Sequence, residues 1–416
     1  MRPSIFLELV WLAVLAATIA STACGVTTST HRALKREQAP LPEAEKQLII
    51  ERAAEVEPAV PAPLLTILQE ELGRSRETLG KTVDPPAYFL AYEVTEDRGI
   101  SVLGSFGALV SSSESHARLL DVDLRVGNHE LDNTHQARGI ERGLAEMLDR
   151  GLVQLPLEDD PLAIKKAVWL STDDKYKAAA ERLIKVKAAK RVKVEEEDLS
   201  GDFTRESPSH FIEAPVEIDL DRERWEKRVR EWSALFERYP NLLSSGVRIW
   251  GLGHTRYLVS SEGSRLQTSG THLRLTISAS ARADDGMWLY RFESFDAESE
   301  RGLPEDGAVR EAIALLAAEV LALREAPLAE PYSGPALLSG EAAAVFFHEI
   351  VGHRLEGHRQ KDEEEGQTFA RKLGDKVMPD FIDLYDDPRI RRLNGTSLNG
   401  HYRFDNQGIP AQKALL

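Results

Sequence analysis

A chain of 416 residues with 42% hydrophobic content can bury a large core and, by size, holds about two to three domains, which excludes a disordered protein. Its 68 Asp+Glu against 52 Lys+Arg leave a formal net charge of −16; such a field repels a phosphate backbone, so no nucleic-acid partner is expected. The single cysteine, Cys24, excludes an intrachain disulfide and a thiolate-rich structural zinc site, so a metal would have to rest on histidines and carboxylates.

Residues 1–23 read as an export signal, with Arg2 near the start, an apolar stretch over 9–20 and the small residues Ser21 and Ala23 before Cys24. The stretch is too short to span a bilayer comfortably. Cys24 stands where a lipid would be attached, so the chain is expected to be exported, periplasmic or membrane-anchored. Residues 24–63, dotted with Pro40, Pro42, Pro58, Pro61 and Pro63, read as a linker, and the folded body is expected to begin at residue 64.

Two short apolar runs, 88–94 and 100–110, flank the polar Thr95-Glu96-Asp97-Arg98-Gly99, a pattern that predicts a hairpin with its turn at 95–99. The serine-rich stretch 111–115 then reads as a loop, with His116 at its end as a surface histidine rather than part of a nucleophilic pair. Residues 175–194 are rich in Ala, Lys and Arg and predict a solvated helix, left through the acidic run 195–198. Between 221 and 239, Trp225, Val229, Trp232 and Phe236 recur at steps of four, three and four, which puts them on one helical face as core residues. Gly251-Leu252-Gly253 lacks the third glycine of a dinucleotide loop and reads as a turn. Leu273, Leu275, Ile277, Ala279 and Ala281 alternate with Arg274, Thr276, Ser278 and Ser280, predicting a strand with one buried and one wet side. Asp285-Gly286 should turn that strand into a partner over 287–292.

An alanine- and leucine-rich helix follows over 308–324, closed by Pro327, and Pro331-Tyr332-Ser333-Gly334-Pro335 reads as a linker. The expected organisation is α+β, with one domain over 64–328 and a second region over 329–416.

That second region opens with a strongly helix-forming, apolar run, 341–347, carrying His348-Glu349-Ile350-Val351-Gly352-His353, and the helix is expected to be mostly buried. Histidines four apart lie about 40° from eclipsed on an ideal helix, but five apart they diverge by about 140°. A local widening to i→i+5 bonding, or a break at Gly352, would bring both imidazoles to one side. They would then suit a zinc ion, with Glu349 as base for a metal-bound water. The alternative on spacing alone is a pair of buried, hydrogen-bonded histidines.

The surrounding residues narrow the choice. Gly334-Pro335-Ala336-Leu337-Leu338-Ser339-Gly340-Glu341-Ala342-Ala343, the His348-to-His353 motif and Leu355-Glu356-Gly357 resemble the TldD/PmbA metallopeptidases, also called modulators of DNA gyrase. The similarity extends to Ser260-Ser261-Glu262-Gly263-Ser264 upstream and to Phe404-Asp405-Asn406-Gln407-Gly408-Ile409-Pro410-Ala411-Gln412 downstream. The resemblance implies an N-terminal α/β domain followed by a β-rich catalytic domain, with Zn²⁺ on His348 and His353 and Glu349 as the catalytic base. It further implies a substrate of unfolded or short peptides, and a homodimer or a heterodimer with a PmbA/TldE-like subunit.

The family's third zinc ligand is a cysteine far downstream of the helix, whereas the sole cysteine here is Cys24 and the sequence ends at Leu416. The chain is thus expected to be a truncated, TldD-like member. Local substitutes for the third ligand are His358, Glu356, Asp362 and His401, none singled out by the sequence, and His358 reads rather as a surface histidine beside Arg354 and Arg359 than as a ligand. The competing function is a catalytically inactive partner subunit. The acidic runs 362–365 and Asp383, Asp386, Asp387 read as solvated charge.

Overall fold

The computed structural model describes residues 50–52, 59–135, 152–192, 200–357, 359, 368–372 and 374–415. The export segment with Cys24, most of the linker, the acidic runs 195–198 and 362–365, Asp362 and His358 lie outside the described residues. Among those described, no helix is long and apolar enough to cross a membrane. The chain forms two compact units. In one, the described residues are 325–355; the other holds the described residues of 48–324 and 356–416.

The larger unit begins with β1 (Ile50–Arg52), α1 (Pro63–Lys81), β2 (Ala87–Ser105), β3 (Ala108–Val126), β4 (Val153–Gln154) and α2 (Pro161–Val192). It continues with β5 (His210–Ile212), α3 (Arg222–Ser233), β6 (Ser244–Ser260), β7 (Arg265–Arg282), β8 (Trp288–Ala297) and α4 (Asp306–Glu325). One sheet runs in the order β4-β3-β2-β6-β7, and both β5 and β8 pair with β7. All its ladders are antiparallel except β5 on β7. Helices and antiparallel sheet make the fold α+β.

Strand alternation assigns the helices to one face. Leu90, Tyr92 and Val94 of β2 share a core with Leu64, Leu65 and Leu68 of α1 and Ile164, Val168 and Leu183 of α2. Farther along the same face, Ile100 and Val102 join Trp225, Val229 and Trp232 of α3, Ile313 and Leu316 of α4, and Leu275 and Ile277 of β7. The four residues at helical spacing, Trp225, Val229, Trp232 and Phe236, are all fully buried, as their periodicity predicts. Asp221 caps α3 by accepting from the Arg224 backbone N–H.

The turn expected at 95–99 is instead the middle of β2, a single strand that reverses at Phe106 and Gly107, both at positive φ. The physical reason is charge pairing across strands. Between the two apolar cores Glu96 is buried, accepting from Arg118 Nε at 3.0 Å and lying 2.7 Å from His116 Nε2. Asp97 lies 2.7 Å from His254 Nδ1, and Arg98 pairs with Glu217. These polar residues tolerate a strand because their partners stand on β3, β6 and the segment crossing the sheet.

The loop expected at 111–115 is likewise strand, with Ser111 to Ser115 opposite Leu103 to Gly99, and His116 is a cross-strand partner of Glu96. Gly251 and Gly253 lie inside β6 rather than in a turn. A Cβ on Gly251 would stand 2.9 Å from Leu220 Cδ1, and one on Gly253 3.3 Å from the Val216 carbonyl. The glycines therefore admit the 216–220 segment against the sheet. In β7 the five apolar positions are buried as predicted, but Ser280, expected to be wet, is buried too, its Oγ 2.6 Å from that of Ser244. The Asp285-Gly286 turn into β8 forms, with Gly286 at φ 93°.

On the opposite face Phe89, Ala91, Leu258 and Leu266 pack with Phe211 and Phe404. Here the two outlying motif segments meet. Asp405 closes a turn by accepting from the backbone N–H of Gln407 and Ile409, Gly408 holds φ 85°, and Arg256 donates to the Asp405 carbonyl at 2.7 Å. A Cβ at Gly408 would lie 2.7 Å from Leu258 and 3.8 Å from Ser264. These family-like residues thus build structure at the end of the sheet. Asp387, read as solvated, has its side chain only 3% exposed between Arg389 and Arg52, which hold its carboxyl well below the usual carboxylate range against the opposing effect of desolvation.

Candidate metal centre

The smaller unit carries α5 (Gly340–Phe347), which continues without a break into a five-residue turn of π-helix, His348–Gly352, and a last helical turn, His353–Leu355. Glu341 sits in the first turn, where an acidic side chain complements the helix dipole, and the Ala343 N–H reaches the Ser339 carbonyl at 2.7 Å. The widening is the feature that matters. The His353 N–H donates to the His348 carbonyl, five residues back, so the insertion rotates His353 onto the side of His348.

The result is a compact donor set. The imidazole centroids of His348 and His353 lie 4.5 Å apart with the rings at 75°. Each Nε2 is 4.0 Å from an oxygen of Glu349, one from each carboxylate oxygen. Ligand atoms of all three residues fall within 4.8 Å of one another, the one such cluster of three or more His, Cys, Asp or Glu among the described residues. Gly352 is not needed sterically for this geometry, since a Cβ there would come no closer than 4.0 Å to the His348 Nδ1 or the Phe347 carbonyl.

The helix is not mostly buried, as its composition predicts. Side-chain exposure is 63% for His348, 58% for Glu349 and 36% for His353; α5 has no buried residue, and Val351 alone is buried in the turn that follows. A helix apolar on all sides needs neighbours on all sides, and the described residues 325–355 contain no second element to supply them. Two imidazoles and a carboxylate open to solvent suit a divalent first-row metal with free coordination positions. Of the substitutes for a third ligand, Glu356 accepts from Arg359 Nε at 2.7 Å, and His401 is half-buried, with desolvation and the neighbouring Arg391 and Arg403 lowering its pKa. Both belong to the larger unit.

Residues 331–416 match the PmbA/TldA metallopeptidase C-terminal domain. Over that region the chain is similar to the TldD/PmbA family. A metalloprotease of Methanocaldococcus jannaschii is 21% identical over 211 residues, 49% of this chain and 42% of that protein; the match thus spans less than half the length of that curated relative. Among solved structures, TldE from Thermococcus kodakarensis superposes with a TM-score of 0.50 at 16% identity, over 85% of this chain and 67% of the other. A protein described as a modulator of DNA gyrase, from Bacteroides thetaiotaomicron, gives 0.52 at 12% identity, over 84% and 68%. At these identities the structural likeness establishes the fold.

Proposed function

We propose that the chain is a TldD-like, zinc-dependent metallopeptidase subunit acting on unfolded or short peptides. The observation that carries this reading is the π-turn, which converts an unfavourable five-residue spacing into two imidazoles and a carboxylate within 4.8 Å. His348 and His353 would hold the metal, which when bound supplies Lewis acidity toward a peptide carbonyl and its attacking water. Glu349, 4.0 Å from each imidazole, takes the proton from that water and returns it to the leaving amine. The exposure of all three side chains leaves room for an extended peptide. The natural partner is a PmbA/TldE-like subunit or a second copy, and residues 1–24 direct export.

The test separates ligands from base. Glu349→Gln should retain zinc by elemental analysis while peptide hydrolysis falls by a factor of about 10² to 10⁴, the usual weight of a general base. A His348→Ala, His353→Ala double variant should lose both. Absence of zinc from the wild-type protein, with binding to a related subunit intact, would instead make the chain a non-catalytic partner.

A further inference from the structure

The seam between the two apolar cores of the larger unit is hollow. Where β2, β3 and β6 pass from the α1–α2 core toward the α3–α4 core, a cavity of about 170 Å³ opens. The sheet contributes Glu96 and Arg98 of β2, Arg118 of β3 and Tyr257 of β6, and Asp159 and Glu217 line it from segments outside the sheet. A cavity of about 150 Å³ accommodates benzene, so this one has room for a molecule of about six heavy atoms.

The charges lining it do not cancel. Arg98 and Arg118 stand against Glu96, Asp159 and Glu217, so two positive groups face three negative ones and one negative charge is left over. The guanidiniums are engaged: Arg118 donates to Glu96 at 3.0 Å and to Asp159 at 2.7 Å, and Arg98 to Glu217 at 3.3 Å and to Glu96 at 3.4 Å. The acceptors are not used up. Asp159 is bonded through Oδ1 and Glu217 through Oε1, and the second oxygen of each takes no hydrogen bond among the described residues. Tyr257 is 2% exposed, yet its hydroxyl reaches only Glu96 Oε2, at 3.5 Å, the outer limit of a hydrogen bond. Burial pushes its pKa up to about 12, so it stands as a neutral phenol whose oxygen can accept.

We infer that this cavity binds a small organic ammonium ion, a primary R–NH3+ group on a short apolar chain. Such a group brings one positive charge and N–H donors that match the open acceptors: Asp159 Oδ2, Glu217 Oε2 and the Tyr257 oxygen. The chain then lies against Ala62, Leu64 and Val216, which share the lining. A carboxylate ligand would meet three carboxylates. A divalent metal fits less well, because the acidic groups here do not gather three ligand atoms into one cluster as His348, Glu349 and His353 do. A free alkylamine and the amino end of a short peptide carry the same group. Every residue involved belongs to the larger unit, so the inference stands apart from the metal reading and either can fail alone.

The experiment is a ligand-observed NMR titration of the full 416-residue chain with n-butylammonium, dialanine amide, butyrate and butyltrimethylammonium. Butylammonium should bind saturably with a Kd of about 1 mM, the range its few heavy atoms allow. Dialanine amide binding alongside it assigns the site to peptide amino ends, and butylammonium binding alone assigns it to free amines. Asp159→Asn should weaken binding at least about tenfold, and Tyr257→Phe and Glu217→Gln about threefold each. Glu217 is 80% exposed, so its variant keeps the fold, and near-UV circular dichroism checks the other two. Absence of saturable butylammonium binding up to about 10 mM overturns the inference. So does equal binding of butyrate, or of the quaternary ion, which has the charge but no N–H donor. Butylammonium binding unchanged by all three substitutions would put the amine elsewhere on the acidic surface and overturn it as well.

Discussion

Glu96 shows how a single side chain can mislead a reading of local sequence. Flanked by Thr95, Asp97 and Arg98 it looks like turn material, yet it is the buried acceptor of a cross-strand network whose other members are His116, Arg118 and, through Arg118, Asp159 at 2.7 Å. Burial raises its pKa, but the hydrogen bonds and charges of His116 and Arg118 outweigh that and leave it lowered from 4.5. The sign follows from linkage: a depressed folded pKa contributes stability that is present above 4.5 and is lost as pH falls through the folded value. Arg118→Met should remove one of the two side chains that hold the buried Glu96 carboxylate down, leaving His116 in place, and cost about 1 to 3 kcal/mol in urea denaturation at neutral pH. Because Glu96 is then less depressed, acidification should narrow the gap between variant and wild type; a constant gap from pH 7 to pH 4 would refute the assignment. The candidate site was more legible at this scale. The spacing and flanks of His348, Glu349 and His353 single them out, whereas their exposure depends on neighbours that a sequence does not number.

At the scale of elements, the apolar periodicities of α3 and β7 survive intact because each faces one core along its whole length. Both β2 and β6 change surroundings midway, from the α1–α2 core to a charged seam to the α3–α4 core, and so their apolar pattern breaks where the strand does not. The clearest test of how α3 seats on the sheet is Gly104 of β2. A Cβ there would lie 2.7 Å from Val229 Cγ1 and 3.1 Å from the Val229 carbonyl, and the carbonyl cannot swing away as a side chain can. Gly104→Ala should therefore destabilise by about 1 to 3 kcal/mol through overpacking. Adding Val229→Ala should recover only part of this, since the backbone contact remains. Full recovery in the double variant, read as a coupling energy, would show that the side chain alone sets the spacing.

For the whole molecule, division into two compact units separates the chemistry from the bulk of the core. The candidate ligands all lie within residues 325–355, while both large apolar cores, and Trp169, Trp225, Trp232, Trp250 and Trp288, belong to the other unit. A metal stabilises only what unfolds together with its ligands. With Trp11 replaced by Phe, tryptophan fluorescence reports the larger unit alone, and chelation of the metal-loaded protein should leave that signal unchanged. The melting of that unit should move by less than about 2 °C, well below the 4 to 8 °C that about 1 kcal/mol produces in a small cooperative domain. Metal loss itself is followed separately by elemental analysis after gel filtration. Should chelation lower the tryptophan-detected transition by several degrees, the two units unfold as one cooperative body and the metal stabilises both.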